Sequence, residues 1–262
     1  MAAPDRLVSV IGLFTLERPV WGVDDAAEAL DVSVSSVYRY FATLCEAGFL
    51  ATETPGQYVL GPAFIQYDRQ IRLTDPLLAA ARPVMADLVT YAPDGSTAVL
   101  ARVFEDKVIC VHQVVGRGPQ PQVSYARGRP MPLFRGATSK IILAHLPPRQ
   151  LKRLYQRNAA TIAETEMGRD LASFRETLAS MRRAGVVVTR HEIDPDRVGI
   201  AAPVFSSDRR ILGSLSVIVG EDDVDQRLAR LQALTIGCAG DIETALAAIS
   251  PKGNASGASE AV

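Results

Sequence analysis

Between Asp24 and Leu60 the hydrophobic period changes once, from helical to strand-like, and the helical part has a single break at Asp31-Val32-Ser33. Asp24-Asp25-Ala26-Ala27-Glu28-Ala29-Leu30 reads as a short helix with acids in its first turn, at the positive end of the macrodipole. Val34, Val37, Phe41 and Leu44 fall at i, i+3, i+7 and i+10, one apolar stripe of a second helix. Ser33 is placed to cap that helix and Gly48 to end it. Phe49–Glu53 and Gln57–Leu60 then alternate like strands around the turn sequence Thr54-Pro55-Gly56. Upstream, Leu7, Val10, Ile11, Phe14 and Leu16 recur at helical spacing until Arg18-Pro19 ends the segment.

Helix, short turn, helix and hairpin make the layout of a winged helix-turn-helix over residues 1–62. The exposed face of its last helix offers Ser33, Ser35, Ser36, Tyr38 and Arg39, with Tyr40 and Thr43 beyond, and Tyr58 stands in the wing. Hydroxyls and one guanidinium near a helix N-terminus suit phosphates and base edges in the major groove of double-stranded DNA. A capped surface helix with no such partner is the plainer alternative. The charge of the module opposes DNA, with three bases against eight acids for a net of −5. The acids cluster at 24–31, where they can point away from a duplex, while Arg39 and the hydroxyls share a face.

Gly61-Pro62 closes this module, and a linker helix is expected over 63–74, with Phe64, Ile65, Tyr67, Ile71 and Leu73 giving it an apolar side suited to a second copy. A second domain is expected over 75–250, followed by a disordered tail of small residues at 251–262. Strands are expected at 96–103, 107–115, 122–127, 186–191, 198–206 and 211–219, and helices at 136–146, 148–157, 167–184 and 224–249. Antiparallel strands mixed with helices place this domain in the α+β class.

Charge singles out one stretch of it. Residues 107–163 hold no acid and ten bases, inside a chain whose totals are 28 basic and 29 acidic. Such a stretch attracts anions unless the acids of residues 164–262 pair with it. Within it, Arg127, Arg129 and Arg135 lie close to Gly136-Ala137-Thr138, where a helix begins. Free N–H groups at that N-terminus with a nearby guanidinium make a carboxylate site, and Thr138 adds a hydroxyl. Met131, Leu133 and Phe134 offer an apolar wall. An ion pair of Arg135 with Asp194 or Asp196 is the structural alternative.

Other chemistries find little support. Three scattered cysteines (Cys45, Cys110 and Cys238) fit neither a disulfide framework nor a zinc cluster. Cys110-x-His112 lacks a second pair, and His145 and the strand-end pair His191-Glu192 read as structural. No nucleophile elbow or phosphate-binding loop is visible, Gly116-Arg117-Gly118 is no dinucleotide fingerprint, and Ser139-Lys140 lacks the spacing of a catalytic dyad. Trp21 reads as core. No cofactor or metal is expected. No apolar run reaches the ~18–20 residues of a membrane span, and Met1–Arg6 shows no secretory signal, so a cytoplasmic location is expected.

The chain resembles the IclR family of bacterial transcription regulators. Val23–Ala27 through Val37-Tyr38-Arg39-Tyr40-Phe41-Ala42-Thr43-Leu44 is similar to that family's helix-turn-helix, and Gly48-Phe49-Leu50 with Tyr58-Val59-Leu60-Gly61 to its wing. Gly128-Arg129-Pro130-Met131-Pro132-Leu133 leading to Lys140–Ala144 resembles the start of its effector-domain helix. Gly185–Glu192, Gly199–Phe205 and Leu215-Ser216-Val217 resemble its late strands. The four blocks follow the family's order across about residues 6–249.

The resemblance implies a GAF-like α/β effector domain with an antiparallel sheet. It also implies a small-molecule carboxylate effector, an inverted-repeat operator, and a homodimer or a dimer of dimers. Carried over, Ser216 matches a ligand-contacting serine, Thr189 stands where some members have an acid, Ile218 replaces a second serine, and Gly199 falls where a cysteine can occur. Ser139 stands where the family usually has glycine, and Val34 where a base is frequent. Fewer polar groups suggest a larger or more apolar acid, aromatic acids included. The leading function is a ligand-responsive regulator of repressor type. A small-molecule enzyme on the second domain, and a first domain that binds protein instead of DNA, are the alternatives.

Overall fold

The computed structural model describes residues 3–104, 107–119, 123–222 and 224–249, with residues 3–5 as backbone only. The tail expected at 251–262 lies outside the described residues. The chain divides into two units, Met1–Asp75 and Pro76–Val262.

The first unit runs α1 (Ala3–Ile11), β1 (Trp21–Gly22), α2 (Val23–Leu30), α3 (Val34–Glu46), β2 (Leu50–Thr54), β3 (Gln57–Leu60) and α4 (Ala63–Thr74). Val10, Phe14, Trp21, Ala26, Val37, Phe41, Leu44 and Leu50 form its core. Each such Leu or Phe contributes about 1.5–3 kcal/mol by leaving water. Ser33 caps α3, its hydroxyl accepting from the Ser36 N–H at 3.3 Å. Gly48 follows α3 at φ +74°, a left-handed conformation that turns the chain into the wing. The wing sheet has the order β1-β3-β2, with Tyr58 opposite both Trp21 and Thr52.

Two expectations fail here. The first helix ends at Ile11, and Leu16, assigned to its stripe, is 95% exposed. The Trp21 indole donates to the carbonyls of Leu13 (2.9 Å) and Arg18 (3.2 Å), so side-chain bonds satisfy a loop where helix bonds were expected. Val34 is exposed, because the buried stripe of α3 begins a turn later, at Val37.

The second unit runs α5 (Pro76–Tyr91), β4 (Thr97–Phe104), β5 (Lys107–Val115), β6 (Pro130–Met131), α6 (Ala137–Ala144), α7 (Pro148–Ala163), α8 (Leu171–Ala184), β7 (Val187–Arg190), β8 (Arg197–Phe205), β9 (Ile211–Gly220) and α9 (Val224–Ile249). Its strands make one antiparallel sheet of order β6-β5-β4-β9-β8-β7. Strand alternation divides the core. Leu100, Leu215, Val217 and Val219 pack with Leu88 of α5 and Leu231 of α9. Val99, Ala101 and Ile218 pack on the other face with Ile142 of α6, Leu154 of α7 and Phe174 of α8. The fold is α+β, with an antiparallel sheet between helical layers.

The strand expected at 122–127 is absent among its described residues, 123–127, and the edge strand is Pro130–Met131. Backbone and side-chain groups of that segment bond elsewhere. The Ser124 N–H donates to the Asp194 carboxylate, and the Arg127 guanidinium donates to the Val111 carbonyl. The helix expected at 148–157 continues to Ala163, past a kink at Asn158 whose side-chain amide donates to the Leu154 carbonyl at 2.9 Å. The expected start of α8 moves from 167 to 171, where Asp170 and Ser173 form a reciprocal cap.

Candidate functional site

In the first unit the core fixes one face of α3 and leaves the opposite one bare. Ser33, Ser35, Tyr38, Arg39 and Thr43 are exposed, Tyr38 to 62%, while Ser36 and Tyr40 are half-buried. The Ser33 hydroxyl lies 3.1 Å from that of Ser35 and 2.8 Å from that of Ser36, a cluster of hydroxyls at the helix entrance. Thr43 donates to the Arg39 carbonyl at 3.0 Å, so its hydroxyl is engaged within the helix. Tyr58 sits differently from the rest. Its ring packs edge-on against Phe41, with centroids 4.7 Å apart, and so supports α3 from beneath. The acids of α2 and Asp31 are exposed, with Asp25 held by Arg18 at 2.5 Å.

The second candidate site gathers around the first turn of α6. Gly136, which precedes it, has φ +79°, and a Cβ there would meet the Tyr125 hydroxyl at 2.6 Å and Ile193 at 2.9 Å. Only glycine fits. The amides expected to be free are occupied. The Gly136 N–H donates to Glu192 Oε2 at 2.8 Å, and the Ala137 N–H to Thr189 Oγ1 at 3.0 Å. Lys140, 4% exposed, donates through Nζ to Glu192 Oε1 at 2.5 Å. Thr138 shares a 2.9 Å hydrogen bond with Ser216, accepts at its carbonyl from Ser214, and is bonded to the Tyr125 phenol. Burial pushes that phenol up to about 12, so it remains neutral.

Two spaces border this cluster. An open cleft of about 940 Å³ is lined by Arg135, Lys140, Thr161, Glu164, Glu166 and Glu192, among others. A much smaller gap of about 20 Å³ lies against Tyr125, Thr189, Glu192, Ile193, Gly199 and Ile218. Thr189 and Gly199 are direct partners in the β7–β8 ladder.

Arg135, Gly136, Ala137, Thr138, Thr189 and Ser216 are thus brought together, while Arg129 is exposed and lines neither space. Met131, Leu133 and Phe134 are buried in the core beneath the site. Arg135 has no ion pair among the described residues, and Asp194 binds the Ser124 amide instead. Of the ten bases in the acid-free stretch, Lys140 pairs with an acid as part of the site itself.

Sequence reasoning missed Tyr125, Glu192 and Ile193. The one signal for Glu192 was the strand-end pair His191-Glu192. His191 in fact pairs with Glu221, leaving Glu192 to α6.

Among the described residues no group of three or more His, Cys, Asp or Glu could hold a metal ion, and no helix is long and apolar enough to cross a membrane. Burial pushes the Cys110 thiol up to about 11, the opposite of what a thiolate ligand or nucleophile needs.

Comparison with known proteins adds an independent line. Residues 73–244 match the family model described as "Bacterial transcriptional regulator IclR C-terminal", and residues 3–54 match "IclR helix-turn-helix domain". The regulator KipR of Bacillus subtilis is 22% identical over 212 residues, 81% of this chain and 83% of that protein. Rv1719 of Mycobacterium tuberculosis is 31% identical over 170 residues, 64% of this chain and 63% of that one. An IclR regulator from Alicyclobacillus acidocaldarius superposes with a TM-score of 0.75 at 21% identity, covering 93% of this chain and 98% of its own. An IclR homologue from Microbacterium hydrocarbonoxydans, solved in complex with 4-hydroxybenzoate, gives 0.73 at 19% identity, covering 94% and 100%.

Proposed function

Because the chain belongs to the IclR family of bacterial transcription regulators, we propose that this DNA-binding regulator with an effector-binding C-terminal domain is a repressor that senses a small organic acid with an aromatic or otherwise apolar body. One observation carries the acid. The first turn of α6 and a buried lysine converge on a single carboxylate, here that of Glu192. A site that already satisfies one carboxylate has the donors for another. The apolar body is supported by Tyr125, Ile193 and Ile218 around the adjoining gap, and by the 4-hydroxybenzoate bound to the Microbacterium homologue.

On the DNA side, Ser33, Ser35, Ser36, Tyr38, Arg39 and Thr43 form the reading face in a major groove, with Tyr58 bracing it from the wing. Two such faces engage the half-sites of an inverted repeat in the cytoplasm. The second copy joins through α4. Phe49 holds Phe64 and Tyr67 against the wing, at centroid distances of 5.4 and 5.7 Å, while Ile65, Ile71 and Leu73 stay exposed. The effector acts by its unequal affinity for two arrangements of the oligomer, worth ~1–3 kcal/mol of coupling.

A thermal-shift panel on the full chain tests the effector class. Benzoate-like and aliphatic carboxylates are compared with their amides and alcohols. At least one acid is expected to raise the melting temperature while its neutral analogue does not. A panel in which every acid fails rules out the organic-acid reading.

A further inference from the structure

We propose that Glu192 is an internal occupant of the effector's anchoring position. Its carboxylate fills the place that the ligand's carboxylate takes, and ligand binding expels it. This rests on the reading that the second unit senses an organic acid.

Glu192 stands, together with Thr189, where the two spaces meet. It lines both the 940 Å³ cleft and the 20 Å³ gap beside α6. The gap has room for about one water, so no organic acid enters it as it stands. Withdrawing the Glu192 side chain opens the gap to the cleft and bares the Gly136 N–H and the Lys140 ammonium together.

The exchange is chemically even. A lysine 4% exposed needs a counter-ion, since an unpaired buried charge is strongly destabilising. Nothing demands that the counter-ion be Glu192. A ligand carboxylate keeps Lys140 neutralised, whereas an amide or alcohol leaves it bare, so the device selects for acids. The displaced side chain also has a destination. Arg135 lines the same cleft and has no ion pair among the described residues.

The backbone around Glu192 permits the movement. Glu192 lies outside the sheet, in the connection between β7 and β8, where His191 and Asp196 both have φ +56°. A side-chain rotation breaks no ladder bond. Asp194, two residues on, stays clasped to the Ser124 amide, so the connection keeps a second anchor when Glu192 lets go.

The test uses full-length Glu192→Ala and Glu192→Gln, with sodium acetate and sodium benzoate as probes and sodium chloride and benzamide as controls. In chloride, Glu192→Ala is expected to melt below the wild type, and both carboxylates to restore it. Benzoate is expected to bind either variant at least about tenfold more tightly than the wild type, because self-occupation lowers the competent fraction. Should the alanine variant fail to fold, the glutamine variant, which keeps an acceptor for the Gly136 N–H, carries the same affinity comparison. Benzoate affinity unchanged or weakened in the folded variants overturns the proposal, as does failure of both carboxylates to stabilise them. The acid panel on the wild type then decides separately whether the organic-acid reading survives, since its readout does not require Glu192 to be the group displaced.

Discussion

Thr138 and Ser216, 78 residues apart in sequence, share a buried hydrogen bond of 2.9 Å between their hydroxyls. It pins the first turn of α6 to β9, the central strand that also pairs with β4 and β8. Ser216→Ala is expected to lower stability by about 1 kcal/mol, the net value of such a bond. In the double variant with Thr138→Val the two costs should not add, because neither hydroxyl is then left without the other. Urea unfolding of the four proteins in the cycle checks this.

His145 gives the second unit a sensitivity to acid. Burial, with Arg182 and Arg209 nearby, pulls its imidazole down to about 4 from 6.5, and the ring packs edge-on against Phe205 at 4.9 Å. Between pH 6.5 and 4 the unfolded chain binds a proton that the folded one refuses. The stability it contributes is complete above pH 6.5 and is lost as pH falls through that window, at up to ~1.4 kcal/mol per pH unit. Melting temperatures of wild type and His145→Gln across pH 4–7 should differ in slope there and run parallel above it.

The bare side of α4 predicts an assembly effect. Ile65→Glu combined with Ile71→Glu places two charges where the helix is exposed and apolar, Ile65 being 75% exposed. The variant should stay folded, since neither residue belongs to the core, and should lose subunits in light scattering. An unchanged molar mass would move the dimer contact elsewhere.

Much of the first unit was legible because its signals are local. Ser33 and Gly48 bracket α3 as the cap and stop residues imply, and Val37, Phe41 and Leu44 are its buried face. Leu16 misled because apolar spacing continued past the point where the Trp21 indole captures the backbone carbonyls. In the second unit, charge located Arg135 and the start of α6 without any strand register. It could not reveal that the amides there were taken, because the occupant, Glu192, arrives from 56 residues beyond Gly136. The segment at 123–127 was misread for the same reason. Its partner, Asp194, is 70 residues from Ser124, and periodicity carries no trace of so distant a bond.

DNA affinity should depend weakly on salt. Among residues 1–62 the bases are Arg6, Arg18 and Arg39, and Arg18 is engaged with Asp25 and stacked over Trp21. With one or two phosphate contacts per protomer, the slope of log K against log salt should fall between about −1 and −2 per protomer. A much steeper slope would mean that bases of the second unit also touch the duplex.

The most direct test of the whole account is a footprint on genomic DNA, with wild type and Arg39→Ala compared at one fixed salt concentration. The wild type should protect an inverted repeat, and Arg39→Ala should lose that protection while keeping its melting temperature. Equal protection by the two proteins, or none by the wild type, would contradict the assignment of α3 as the surface that reads DNA.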